Sequence, residues 1–181
     1  MGLDEFRSMT RTKSTCLIPY PWFRGYESKK DPELDRKIKR SVDGICLVHD
    51  IPRFSEEIKR RLQFLLDYAD TANCLFAGYW QTGQMVQPSG KGICASVYQN
   101  AKRKAAVVVF LNTLKQDQYL ANTTFDATRL LGSRTIPEVK KIYDLETGQP
   151  VETVFENGLF RISSPYRING HEYRILTIEA E

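Results

Sequence analysis

Histidine is scarce in this chain and its cysteines are never paired in sequence, which narrows the chemistry open to it. Only His49 and His171 occur among 181 residues, and Cys16, Cys46, Cys74 and Cys94 form no Cys-x-x-Cys pair. A structural zinc site is therefore not expected. No uninterrupted apolar run approaches the ~20 residues that cross a bilayer, so no membrane partner is expected. The chain also lacks a G-x-S-x-G elbow, a phosphate-binding P-loop and an H-E-x-x-H helix. Gly78 through Gly83 is no dinucleotide fingerprint. No cofactor and no metal are expected.

Charge of one sign is also thin. The formal net charge is +4, and the basic residues are scattered rather than gathered into a surface that would hold nucleic acid. Local groups stand at Lys37-Ile38-Lys39-Arg40, Lys59-Arg60-Arg61 and Lys102-Arg103-Lys104. The first two fall on predicted helices beside acidic residues and are read as solvated faces. An apolar fraction of 41% with 27% charged residues belongs to an ordinary globular chain rather than a disordered one. The segment Met1 to Arg7 is charged, has no apolar core and is not read as a secretory signal. The compartment is left open.

Three short apolar runs then organise the first half. Cys16-Leu17-Ile18-Pro19-Tyr20 leads into Pro21-Trp22-Phe23-Arg24, Gly44-Ile45-Cys46-Leu47-Val48 into His49-Asp50, and Cys74-Leu75-Phe76-Ala77-Gly78 into Tyr79-Trp80-Gln81. Their spacing of roughly 30 residues is that of a strand, a crossover helix and the next strand. Helix signals fill the gaps. Asp31-Pro32-Glu33 supplies a cap, a first-turn proline and a dipole-matched acid. Leu34, Ile38 and Val42 share the following face, and Asp43-Gly44 ends it. Ser55-Glu56-Glu57 opens the second helix, whose stripe is Ile58, Leu62, Leu65, Leu66 and Ala69. The expected fold of residues 1–86 is α/β, a set of terminal βα units from a barrel, incomplete at this length.

Residues 87–181 read differently. Ile93–Tyr98, Ala105–Leu111, Tyr119–Asp126, Val139–Tyr143, Thr153–Phe155, Leu159–Ile162 and Tyr173–Ile178 all suit strands, with one helical turn at Ala127–Leu131 stopped by Gly132. Asn157-Gly158 and Asn169-Gly170 are tight-turn signals. Asp144-Leu145-Glu146-Thr147-Gly148 reads as a turn rather than a calcium loop. Strands this dense, without helices between them, predict an all-β domain, an antiparallel β-sandwich.

If the first half is a parallel sheet, Trp22, Arg24, His49, Asp50, Tyr79, Trp80 and Gln81 emerge on one rim. Aromatic rings stack on sugar faces while Arg, Asp, His and Gln bond hydroxyls, so carbohydrate is the ligand class that fits. Both tryptophans also suit a packing seam between domains. Glycoside hydrolysis ordinarily needs two facing carboxyl groups. Asp50 is the one rim carboxylate and the only, weak, catalytic candidate.

Three later segments carry a resemblance. They are Ala105-Ala106-Val107-Val108-Val109-Phe110-Leu111-Asn112, Phe125-Asp126-Ala127-Thr128-Arg129-Leu130-Leu131-Gly132, and Tyr143-Asp144-Leu145-Glu146-Thr147-Gly148. With Val48-His49-Asp50-Ile51 and Tyr79-Trp80, the chain resembles the C-terminal part of family 123-type glycoside hydrolases, the β-N-acetylgalactosaminidase-like enzymes. The resemblance implies the end of a barrel followed by its β-sandwich. It also implies a substrate-assisted mechanism whose Asp-Glu pair lies on an earlier strand. Asp4-Glu5 opens a helix and does not take that role. The expectation is a C-terminal fragment supplying part of a carbohydrate-binding rim through Trp22, Arg24, His49, Asp50 and Trp80, with strand edges exposed to self-association. The alternatives are a non-catalytic carbohydrate-binding or interaction module, and a small complete enzyme using His49 and Asp50.

Overall fold

The computed structural model describes Glu33, Arg40 and residues 74–100, 102–135 and 138–180. Glu33 and Arg40 are both helical, in agreement with the helix expected after Asp31-Pro32. The runs Cys16–Tyr20 and Gly44–Val48 lie outside the described residues, as does the second expected helix.

Two antiparallel sheets make the body of the fold. The larger contains β1 (Leu75–Ala77), β3 (Ile93–Asn100), β4 (Ala105–Asn112), β7 (Val139–Asp144) and β11 (Tyr173–Ala180), in the order β1-β3-β4-β11-β7. The smaller contains β2 (Val86–Gln87), β6 (Thr124–Asp126), β8 (Thr153–Glu156) and β9 (Leu159–Ile162), in the order β2-β6-β9-β8. β5 (Gln118–Tyr119) and β10 (Arg167–Ile168) form a separate two-stranded antiparallel pair. The helix α1 (Ala127–Leu131) follows β6.

The two sheets face each other across one core. Ala95 and Val97 of β3, Ala106, Val108 and Phe110 of β4, and Leu176 and Ile178 of β11 meet Val86, Phe125 and Ile162 of the smaller sheet. Phe110 and Phe125 touch edge to face between the layers, centroids 6.1 Å apart. This is the sandwich that residues 87–181 predict, with side chains alternating inward and outward along each strand.

The larger sheet is buried on its other side as well. Tyr98, Val107, Val109, Leu111, Tyr173 and Ile175 form a second apolar cluster on the outward-facing positions. That explains why β4 is apolar at every residue but the last, since alternation disappears when both faces are covered.

The third N-terminal run departs from expectation. Leu75–Ala77 pairs antiparallel with β3, Leu75 opposite Gln99 and Ala77 opposite Val97. Among the described residues it is an edge strand of the sandwich's larger sheet. An apolar run that ends in glycine reads the same in either direction, so only pairing could decide. The segment Tyr119–Asp126 is likewise not one strand. Asn122 takes a left-handed φ of 69° and a turn at Ala121-Asn122 separates β5 from β6.

Candidate functional site

Of the five residues expected on a sugar-facing rim, Trp22, Arg24, His49 and Asp50 lie outside the described residues. Trp80 is described, and it stands in a turn directly after β1. The Gln81 amide donates to the Gly78 carbonyl at 2.7 Å, and the Gly78 amide donates to Gln81 Oε1 at 3.1 Å. The turn is thereby tied at both ends, and the indole folds back over it. A Cβ on Gly78 would stand 2.5 Å from Trp80 Cη2, so any larger residue there would displace the ring. Trp80 also meets Tyr79 edge to face, centroids 5.1 Å apart. Tyr79 in turn packs against the outer apolar cluster of the larger sheet. The half-buried tryptophan thus sits at the border of that outer face.

Arg40 lies on the same face. Its guanidinium carbon is 4.6 Å above the centroid of the Tyr173 ring. Arg40 Nη2 lies 3.4 Å from Glu146 Oε2, and Nε 3.7 Å from Glu172 Oε2. Arg174 Nη1 adds a 3.7 Å contact to Glu146 Oε2. Sequence reading assigned Arg40 to a solvated basic face. Its side chain is instead 16% exposed and engaged by the sheet. Nothing in the Lys37–Arg40 run distinguishes the packed cation from its neighbours, and only the tertiary fold does.

A shallow groove of about 290 Å³ lies on the solvent side of the smaller sheet, against α1. Gln84, Gln87, Thr124, Asp126, Arg129 and Leu159 are among its lining residues. Arg129 pairs with Asp126 at 3.3 Å and also donates to Gln84 Oε1. Amide, carboxylate and guanidinium groups beside an exposed leucine can bond the hydroxyls of a small polyol. No local sequence pattern announces it, because its residues come from three separate stretches of chain, 83–87, 124–129 and 159.

The three segments that carry the family resemblance prove to hold structural devices. Asn112, fully buried, donates through Nδ2 to the carbonyls of Gln116, Ile168 and Asn169, and accepts the Leu114 amide at 3.0 Å. Asp126 caps α1 by accepting the Arg129 amide, and Gly132 ends it at φ 62°. Gln99 Nε2 donates to the last helical carbonyls, of Arg129 and Leu130, at 2.5 and 2.8 Å. Asp144, buried, accepts the amides of Glu146 and Thr147 at 2.8 and 2.9 Å through Oδ1 and the Tyr166 hydroxyl through Oδ2. Gly148 completes that turn at φ 69°, in line with the turn expected there in place of a calcium loop. Burial, then the Asp144 hydrogen bond, push the Tyr166 hydroxyl far above its ordinary pKa, with Arg174 opposing. His171 holds a left-handed φ of 54° and is half-buried. Burial first, then nearby Lys115, lower its pKa. No group of three or more His, Cys, Asp or Glu side chains able to hold a metal occurs among the described residues.

No known protein family matches the chain, and no curated protein does either. Two solved structures are similar to it in shape. One is the α-L-fucosidase isoenzyme 2 from Paenibacillus thiaminolyticus, at 9% identity and TM-score 0.39, matching 56% of this chain and 16% of that one. The other is a GH27 β-L-arabinopyranosidase from Geobacillus stearothermophilus in complex with arabinose. It gives 14% identity and TM-score 0.33 over 50% of this chain and 18% of its own. The chain therefore spans less than a fifth of either structure. Likeness this loose says nothing of activity, which has to be argued from the chain's own residues.

Proposed function

We propose that this chain is the C-terminal portion of a glycoside hydrolase-like protein: the end of a barrel in the residues before β1, continued by the sandwich to which β1 and β2 belong. In that reading Trp22, Arg24, His49, Asp50 and Trp80 form part of a carbohydrate-binding rim, and the main catalytic carboxylates lie elsewhere. One observation carries it. The larger sheet is buried on both faces, and its outer face holds Arg40 from the first half of the chain. A free-standing sandwich would present a polar outer face to water. Four described carboxylates hold structural posts, which supports the placement of catalysis elsewhere. Asp126 caps a helix, Asp144 ties a turn, and Glu146 and Glu172 engage Arg40.

The test uses the purified full chain against soluble glycans and chromogenic glycosides. Weak glycan retention that disappears in Trp80→Ala, with little or no hydrolysis, is the expected result. Robust hydrolysis that vanishes in Asp50→Asn while the fold persists would mean a complete small enzyme and overturn the fragment reading. Undiminished binding in Trp80→Ala would remove the rim.

The groove beside α1 favours a second reading, a non-catalytic carbohydrate-binding module. There Arg129→Ala would abolish glycan retention and Trp80→Ala would spare it, the reverse of the rim's pattern.

A further inference from the structure

We propose that the outer face of the five-stranded sheet is the docking surface for the chain's own N-terminal half, and that Arg40 is the residue that pins it there. The proposal holds whatever the ligand, and its test involves no sugar. Glu146 comes from the turn after β7 and Glu172 from the segment leading into β11, so the two carboxylates reach Arg40 from separate loops. Among the described residues Arg174 adds a second cation beside Glu146. A planar fork can engage two carboxylates from different directions and lie flat on an aromatic ring at once, which a lysine ammonium cannot.

Burial makes the pairing matter. The side chains of Arg40, Glu146 and Glu172 are only 16–17% exposed. Solvent-exposed pairs contribute little, whereas removing one member of a largely buried cluster costs more. Cys94, Leu111 and Tyr173 lie in one row across three neighbouring strands, on the face that Arg40 covers. Cys94 is partly buried there, so its thiol reports on the covering.

Maleimide labelling of Cys94 in the folded full chain, read by peptide mass, tests the proposal. Val97→Ala serves as comparison, because Val97 is fully buried in the core between the sheets and away from the outer face. With both variants at the same margin below their thermal midpoints, Arg40→Ala is expected to label Cys94 about tenfold faster than Val97→Ala, the factor that corresponds to losing one good coupled contact. Arg40→Lys keeps the charge without the fork and is expected at about threefold, a milder variant should Arg40→Ala not fold. Equal labelling in the Arg40 and Val97 variants would show only global unfolding and overturn the pin. Labelling unchanged from the parent chain would overturn it too.

Discussion

Tyr166 and Asp144 set how this molecule responds to alkali. Burial and the carboxylate beside it favour the protonated phenol, so its folded pKa is raised above the ordinary 10.0. The folded state therefore holds the proton that the unfolded chain gives up. The stability this contributes is complete below about pH 10 and is lost as pH rises beyond it. Tyr166→Phe should unfold with a flatter alkaline limb than the parent. It should also lose about 1–3 kcal/mol near neutrality, since Asp144 then keeps only its backbone donors. Denaturant melts at pH 7 and pH 10.5 check both; parallel loss in the two proteins would sink the assignment. His171 acts at the other side. Its folded pKa is lowered, so its contribution is present above pH 6.5 and fades as pH falls through the folded value. Thr177 gives a prediction of opposite sign. Its hydroxyl is fully buried without a hydrogen-bond partner, and it stands on a central strand opposite Val107. Thr177→Val removes a stranded polar group at almost constant shape, and a rise of about 2–4 °C in thermal midpoint is expected. A fall would mean that the hydroxyl is bonded after all.

Elements in this fold are started and stopped by a few side chains, and those stops are what the sequence displays most clearly. The strands from Ile93 onward were legible because apolar runs alternate with Asn-Gly, Thr-Gly and Leu-Gly punctuation. Asn157-Gly158 indeed joins β8 to β9, with φ of 54° and 80°. Asn169-Gly170 also turns the chain, the Glu172 amide donating to the Asn169 carbonyl. It leads from the small β5–β10 pair into β11 rather than closing a hairpin. The two-residue strands β2, β5 and β10 were not foreseen, since two residues carry no period. That β1 pairs with β3 is not legible either, because an apolar run ending in glycine does not show its partner, and the partners of Arg40 are set by distant loops that no local pattern links. The punctuation also explains the family resemblance. Asn112, Asp126, Gly132, Asp144 and Gly148 solve packing problems common to many sandwiches, so sharing them speaks for architecture and not for substrate. The five-residue α1 offers the measurable case. Asp126 satisfies its first turn and Gln99 its last carbonyls. Asp126→Ala should cost about 1 kcal/mol and Gln99→Leu about 1–2 kcal/mol. Because both act on one short helix, a double-mutant cycle by denaturant unfolding should give less than the sum; strict additivity would mean that the two ends fray independently.

At the scale of the whole molecule the open question is how four sheet edges are kept from pairing with other chains. Among the described residues the larger sheet ends at β1 and β7, the smaller at β2 and β8. β7 carries adjacent lysines in its sequence, Lys140-Lys141, and its register with β11 shifts at Glu179/Ala180. Charge and irregularity of that kind discourage edge-to-edge pairing. β2 is only two residues long. The remaining two edges are apolar. Leu75 on β1 is 70% exposed and Phe155 on β8 is 46% exposed, with Val154 beside it. Phe155 is held against Phe160, centroids 4.5 Å apart, so the hairpin presents a firm apolar edge. Self-association is therefore expected through β1 and β8, visible as a sedimentation coefficient that rises with concentration across the micromolar range in which exposed edges associate. Leu75→Lys and Val154→Lys each place a charge on an edge without entering the core. Each should reduce the concentration dependence, and the pair together should abolish it. A parent chain that sediments identically at every concentration would show that the apolar edges are too short to template a partner.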